Sequence, residues 1–107
     1  MTGTIAADTL DLTAILRPGD HLVWGQACGE PSTLIEALIA QRAVLGGVSA
    51  FAGSSFSGLL TPEITDHVRL SSMGAIGALR AMAKANALDI IPCHVGQIGG
   101  MIASGAI

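Results

Sequence analysis

Residues 18–31 read PGDHLVWGQACGEP and contain, in order, a turn, a short apolar run, a glycine-bounded loop and the start of a helix. The opening Pro-Gly pair is typical of a tight turn. The apolar run from His21 to Trp24 ends at Gly25, and short continuous runs of this kind are typical of strands buried on both faces of a parallel sheet. The stretch therefore predicts a strand that leads through a loop into a helix, which is the repeating unit of α/β folds.

The same alternation continues along the chain. The expected helices span 8–16 (capped by Asp8 or Thr9), 32–45 (capped by Ser32), a short segment from Thr61, 75–88 and 96–104, and the expected strands span 21–24, 48–51, 68–73 and 90–93. Alternating strands and helices predict an α/β fold with an open, mostly parallel, Rossmann-like sheet and flanking helices. Four strands give a thin core and the final helix lacks a capping signal, so we expect the domain to be incomplete and to expose apolar surface where further strands would add.

Composition limits the function. The chain has 107 residues, the size of one small domain, and only 12% of them are charged, against about 25% in typical soluble domains. The formal net charge is −3 and the five Lys and Arg residues are dispersed, so we expect no nucleic-acid partner. No apolar window is long enough for a membrane span, and the start lacks a basic signal-peptide region, so we expect no membrane association and a cytoplasmic protein.

The cysteines and histidines indicate no metal. Cys28 and Cys93 are far apart with no CxxC spacing, which predicts two reduced thiols rather than a disulfide or a zinc site. The histidines lie at positions 21, 67 and 94 without metal-ligand spacing. A nucleophilic pair of Cys28 with His94 is an alternative, because both would follow parallel strands, but buried or loop roles are favoured for both.

The loop after the first strand is the best candidate for ligand binding. Ligands of open parallel sheets bind beyond the carboxyl ends of the strands, where helix N-termini offer free N–H groups to anions. Gly25 and Gly29 would let the backbone approach such a ligand closely. The spacing matches neither GxGxxG nor a P-loop, so a plain structural turn is an equal alternative.

Several segments together resemble one family. They are Pro18-Gly19-Asp20 with the following apolar strand, Gly25, Gly29-x-Pro31, Leu34-x-x-Ala37-Leu38, Leu70-Ser-Ser-Met-Gly-Ala75 with Arg80, Asp89-Ile-Ile-Pro92-Cys-His94, and the stretch from Ile98 to Gly105. In this order they resemble the N-terminal half of the acetyl-CoA hydrolase/transferase family, within the class I CoA-transferases. The resemblance covers essentially Leu10 to Ile107.

The resemblance implies transfer of CoA between an acyl-CoA and a small carboxylate, or hydrolysis of the acyl-CoA, with coenzyme A as a substrate and no bound cofactor. In the family, a glutamate of the second half forms a glutamyl-CoA thioester. Residues 1–107 would thus be the N-terminal portion, inactive alone, with the catalytic residue beyond Ile107 and with homo-oligomers expected for the complete enzyme. The substrate-binding residues that we expect are Gly25, Gln26, Ala27, Cys28, Gly29, Gly74 and His94.

The chain also departs from the family pattern. The loop after the first strand is shorter than the GGF-containing loop of many class I enzymes, and Gln26 replaces the second glycine, so we do not assign an oxyanion hole to it. Glu30, Glu36 and Glu63 do not occupy the family's nucleophile position, although Glu30 lies beside the loop and is a candidate for contact with substrate. Two alternatives stay open: a non-catalytic anion-binding module, and a structural subunit of a split two-chain transferase.

Overall fold

The computed structural model describes Ala6 and residues 9–107, and its centre is a parallel sheet of four strands in the order β1-β2-β3-β4. The strands are β1 (His21–Val23), β2 (Val48–Phe51), β3 (Val68–Ser72) and β4 (Asp89–Ile90), and the helices are α1 (Ser32–Gln41), α2 (Leu79–Lys84) and α3 (Ile98–Ser104). Short 3-10 turns lie at Leu12–Ala14, Ala27–Gly29, Arg42–Val44, Pro62–Asp66 and Val95–Gln97. The predicted α/β class and the open parallel sheet are confirmed.

One face of the sheet carries the main hydrophobic core. Leu22, Ala50 and Leu70 lie side by side in register on that face. Ile35 of α1 and Met82 of α2 belong to the same buried cluster, and each is at most 1% exposed. Burial of an aliphatic side chain contributes about 1.5–3 kcal/mol relative to exposure, so this layer of helices on the sheet holds most of the fold together.

The opposite face of the sheet carries α3. Phe51 is 2% exposed but lies outside the main cluster, and it lines a cavity of about 250 Å3 together with Val23 and Ile98. At the amino ends of the strands, His21 lines a second cavity with residues 105–107. Helix α3 therefore lies over β1 and β2 on the face that α1 and α2 leave open.

The expected helix over residues 8–16 is wrong in extent. Among the described residues, this region forms no α-helix: Thr9 lies in one 3-10 turn and Leu12–Ala14 form another, while Asp8 lies outside the described residues. The carboxylate of Asp11 accepts hydrogen bonds from the N–H (3.0 Å) and the hydroxyl (2.6 Å) of Thr13. Local side-chain bonds of this kind compete with a longer helix, and Asp11 caps the turn Leu12–Ala14.

The second helix begins as predicted but ends earlier. α1 starts at Ser32, yet Pro31 occupies the cap position and no side chain caps it. The helix ends at Gln41 rather than at residue 45, and the guanidinium of Arg42 donates to the carbonyl oxygen of Ile39 at 2.7 Å. That bond satisfies a terminal carbonyl, and a 3-10 turn continues the chain to two glycines of positive φ, Gly46 and Gly47.

The last two helices are also shorter than predicted. α2 begins at Leu79 instead of residue 75, because Gly77 pairs with Ser55 in an isolated bridge and adopts φ +64°. α3 begins at Ile98, and Gly105 ends it in the left-handed conformation. The expectation that this helix lacks a capping signal is therefore wrong, since a left-handed glycine is a common helix terminator.

The strands differ from the predicted ranges at their ends. β2 has the predicted bounds, whereas β1 ends one residue early at Val23 and β3 ends at Ser72. β4 is displaced to Asp89–Ile90 from the predicted range 90–93. Pairing with β3 continues one residue beyond the strand, because the N–H of Ile91 donates to the carbonyl oxygen of Ser72 at 2.7 Å. The longest described helix, α1, has ten residues, and no described helix meets the length and hydropathy needed to cross a membrane.

Candidate functional site

The loops that follow β1 and β2 are joined by hydrogen bonds at the carboxyl edge of the sheet. We call residues 24–31 the β1 loop and residues 52–60 the β2 loop. The side-chain oxygen of Gln26 accepts from the Ser54 N–H at 3.1 Å, and the Ala27 N–H donates to the Ser54 carbonyl oxygen at 2.8 Å. Gly53 leaves room for this contact, because a Cβ there would lie 2.6 Å from the Cβ of Gln26. Gln26, which departs from the family pattern, thus has a clear structural role.

Glu30 makes the second link between these two loops. Its carboxylate accepts a hydrogen bond from the Ser55 hydroxyl at 2.6 Å. It also accepts from the backbone N–H groups of Phe56 at 3.3 Å and Ser57 at 3.1 Å. Ser55 is only 1% exposed. A carboxylate with three donors is a positioning group that holds the β2 loop, and these bonds give no support to the expected contact of Glu30 with substrate.

The loop after β3 is tied to the same assembly. The N–H of Ala78 donates to the carbonyl oxygen of Ser55 at 2.9 Å, next to the bridge between Ser55 and Gly77. A Cβ at Gly77 would overlap that carbonyl oxygen and lie 2.9 Å from the Phe56 ring. Only glycine fits here. Ser55 is therefore the central residue that connects the loops of three consecutive strands.

The turn after β4 closes the edge. The backbone N–H of His94 donates to the side-chain oxygen of Gln97 at 2.8 Å, which caps the turn Val95–Gln97. Val95 then lines the 250 Å3 cavity together with Gly25 and Gln26 of the β1 loop. The cavity lies where ligands of open parallel sheets are bound, and it is the candidate functional site.

The structure brings some of the predicted site residues together. Gly25 and Gly29 approach so closely that a Cβ on Gly25 would lie 2.7 Å from the Gly29 carbonyl oxygen. Ala27 holds a left-handed backbone with φ +51°, which is unusual for a non-glycine residue. Cys28 is exposed at the tip of the loop. Their contact with substrate stays a prediction.

Gly74 and His94 belong to the same edge but not to the cavity lining. Gly74 is half-buried and its nearest neighbour outside the adjacent residues is the side chain of Ile76. His94 is exposed. The hydrogen bonds of the described residues include none between Cys28 and His94, so the geometry gives the alternative nucleophilic pair no support.

Two carboxyl groups with lowered pKa values lie away from this edge, in the 3-10 turn before β3. The pKa of Asp66 is lowered mainly by its hydrogen bond from the Arg42 side chain, 2.9 Å away, and then by His67 at 3.1 Å. The pKa of Glu63 is lowered by a backbone hydrogen bond and by the Thr61 side chain. Both groups are at the surface, where they stabilise the ionised turn rather than prepare an acid or base.

The sequence patterns do not indicate Gly53 and Ser55 as organising residues, nor the link that Glu30 makes between the β1 and β2 loops. A small residue directly after a buried strand, followed by serines, is the available signal for a loop that accepts a neighbouring side chain. No group of three or more His, Cys, Asp and Glu side chains that could hold a metal ion occurs in the described part of the chain.

Comparisons with family models, with curated proteins and with solved structures found no match to this chain.

Proposed function

We propose that this chain is the N-terminal part of an enzyme that transfers CoA between an acyl-CoA and a small carboxylate, or hydrolyses the acyl-CoA. The observation that carries the proposal is the set of loops that hydrogen bonds join at the carboxyl edge of a four-stranded parallel sheet. These loops follow one another along the chain in the same order as the segments that resemble the family. Such an edge is where open α/β sheets bind small ligands. The proposed location is the cytoplasm.

The reaction proceeds through a carboxylate nucleophile. A glutamate attacks the thioester carbonyl, the C–S bond breaks, and an acyl-glutamyl anhydride and CoA thiolate form. The thiolate then attacks the glutamyl carbonyl and releases the acyl group as a carboxylate, which leaves a glutamyl-CoA thioester. An incoming carboxylate reverses these steps, whereas water hydrolyses the thioester.

The glutamates within this chain support a nucleophile located elsewhere. The carboxylate of Glu30 is occupied by three donors. Glu36 is exposed on α1, and Glu63 lies in the 3-10 turn before β3. None of the three lies on the lining of the candidate site. We propose, as the resemblance implies, that the companion half supplies the nucleophile and the main CoA contacts, as a continuation of the chain or as a second subunit, and that the complete enzyme is a homo-oligomer.

The role of this chain is to shape the acyl or carboxylate pocket. The 250 Å3 cavity has apolar walls from Val23, Phe51 and Ile98, which favour a small acyl group. Gly25 and Gln26 provide polar backbone and amide groups on its rim. A carboxylate nucleophile is weak in water, so apolar walls beside the reacting groups would support its attack.

The test is an exchange assay with acetyl-CoA and propionate, in which propionyl-CoA is measured by mass spectrometry. The chain alone is compared with the chain joined to, or co-expressed with, the coding sequence that follows it. We expect exchange only with the companion half. Exchange by the chain alone would overturn the proposal, and binding of acetate or CoA to the chain without exchange in either sample would favour the anion-binding module.

Two glycine variants of the assembled enzyme test the contribution of the β1 loop. In Gly25→Ala the new Cβ would meet the Gly29 carbonyl oxygen at 2.7 Å and displace the loop. We expect KM for the carboxylate to rise by at least about tenfold, equivalent to about 1.4 kcal/mol. In the matched control Gly100→Ala, the Cβ lies in open space on α3. Both kcat and KM should therefore be unchanged in this variant. Equal values of kcat and KM in the two variants would show that the β1 loop does not contribute to the pocket.

A further inference from the structure

Within the part of the chain that the structure describes, one edge of β1 carries backbone N–H and C=O groups that no other strand pairs with. Among the described residues, β1 pairs only with β2. The carbonyl oxygen of Asp20 accepts from the Ser49 N–H at 3.0 Å, which fixes the alternation along the strand. In a parallel ladder, both polar groups of one residue point to the same neighbour and those of the next residue point away. The N–H and C=O groups of His21 and Val23 thus face the free edge.

The edge at β4 is unsuited to further pairing. The N–H of Ile91 donates to the Ser72 carbonyl oxygen at 2.7 Å, so the polar groups of Ile90 face outward. The next outward position is residue 92, which is a proline and has no N–H. A strand of two residues with a charged Asp89 and a following proline has the features by which proteins terminate a sheet.

The position of α3 also indicates that the next strand pairs at the β1 edge of the sheet. Connections between parallel strands are right-handed in nearly all proteins. With α1 and α2 on one face, each new strand from β1 to β4 adds on the same side of the strand before it. Helix α3 crosses on the other face and ends near His21, at the amino end of β1. A right-handed connection through that face reverses the direction and brings the next parallel strand beside β1.

An apolar groove accompanies the free edge. It has a volume of about 280 Å3 and lies between residues 10–16, β1 and α1. Ile15 and Leu34 on its walls are 61% and 53% exposed. Side chains of an added strand at alternate positions would enter this groove, while the intervening ones would lie beside Val23 on the α3 face.

We propose that the free edge of β1 is the docking site for a parallel strand of aliphatic residues. The companion half contributes this strand, and the chain enters it directly after α3. The inference rests on the part of the proposed function that gives this domain a companion half. It goes further in naming the strand, its direction and its register, which make β1 an internal strand between β2 and the new strand. The carboxyl end of the added strand would lie beside the β1 loop and extend the candidate site.

The probe is the full chain extended after Ile107 by a flexible Gly/Ser linker and the strand Val-Val-Ile-Val-Val. The matched control carries the same linker, but prolines replace alternate residues of the added strand. Proline has no backbone N–H, so the control lacks the donors that would pair with β1. Amide hydrogen exchange is followed by NMR. We expect the exchange of the Val23 amide to slow by about a hundredfold relative to the control, with that of Ile90 unchanged. Protection of Ile90 instead of Val23, or equal exchange in probe and control, would overturn the proposal.

The companion half, supplied as in the exchange assay, separates this inference from the proposed activity. Hydrogen exchange needs no acyl-CoA. Protection at Val23 in an assembly without CoA exchange would overturn the proposed function and leave the docking site standing. Exchange activity in an assembly that leaves the Val23 amide unprotected would uphold the function and reject the docking site.

Discussion

Replacing Glu30 by alanine tests whether this carboxylate is a structural link rather than a reacting group. The change removes the acceptor of three hydrogen bonds that join the β1 and β2 loops. Glu30→Gln is the matched variant, because it keeps the size of the side chain and one oxygen that can accept from the backbone N–H groups of Phe56 and Ser57. The two variants separate the loss of the link from the loss of the charge.

The expected cost follows from the burial of the donors. Ser55 is 1% exposed, so its hydroxyl loses its acceptor without access to water, which costs about 1–3 kcal/mol. The donors on Phe56 and Ser57 belong to exposed residues and can turn to water, so together they add about 1 kcal/mol. Glu30→Ala should therefore lower the free energy of unfolding by about 2–4 kcal/mol, and Glu30→Gln by about half of that.

The assay is urea unfolding followed by circular dichroism and by the fluorescence of Trp24, the single tryptophan. With a slope m of about 1.5 kcal/mol/M, a loss of about 3 kcal/mol moves the midpoint by about 2 M without changing m. Ser55→Ala and the double variant complete a double-mutant cycle, for which we expect a coupling energy of about 1–2 kcal/mol. A midpoint for Glu30→Ala close to that of the parent, together with additive effects in the cycle, would contradict the structural role assigned to Glu30.

Three further predictions concern the fold. Gly77→Ala should lower stability by at least about 2 kcal/mol, because residue 77 has φ +64° and its Cβ would overlap a carbonyl oxygen of the β2 loop. The control Gly58→Ala, at φ +76° in open space, should cost about 1 kcal/mol in the same urea titration. Leu70→Ala, at a position 1% exposed, should cost about 2–5 kcal/mol, and Val44→Ala, at 70% exposed, should stay within about 0.5 kcal/mol; equal midpoints would contradict the assigned core. The lowered pKa of Asp66 means that its ion pair stabilises the fold above the unfolded-state pKa and is lost as pH falls through the folded-state value, so the difference in Tm between the parent and Asp66→Asn should shrink from pH 6 to pH 2, and a constant difference would contradict the assignment.

The fold class could be predicted because it depends on local signals. The apolar runs of β1 and β2 are bounded by glycines, and α1 has apolar residues at helical spacing. These patterns persist whatever the rest of the chain does. The two strands and the start of α1 at Ser32 accordingly lie within one residue of the predicted bounds.

The errors arise where a distant residue decides the local structure. An alanine-rich segment predicts a helix from residue 75, but the bridge between Gly77 and Ser55 holds its first turn in another conformation. Similarly, the short β4 depends on its register with β3, which the sequence of one strand does not contain. Contacts over more than twenty positions are not encoded in the period of a single segment.

The candidate site could be predicted only in outline. The β1 loop was identified from its glycines, and the structure confirms that it lies at the carboxyl edge of the sheet. The partner of Gln26, the β2 loop, could not be identified, because hydrogen bonds between loops depend on how the strands are ordered. Glu30 illustrates the same limit, since its three donors lie 25 to 27 positions away.

Locating the covalent intermediate is the most direct test of the proposed reaction. The chain is assembled with its companion half and incubated with acetyl-CoA, and the protein is then digested and its peptides searched by mass spectrometry for a glutamyl-CoA thioester. We expect the modified glutamate to lie in the companion half and Glu30→Gln still to form the adduct. A CoA adduct on Glu30, Glu36 or Glu63 would contradict this expectation.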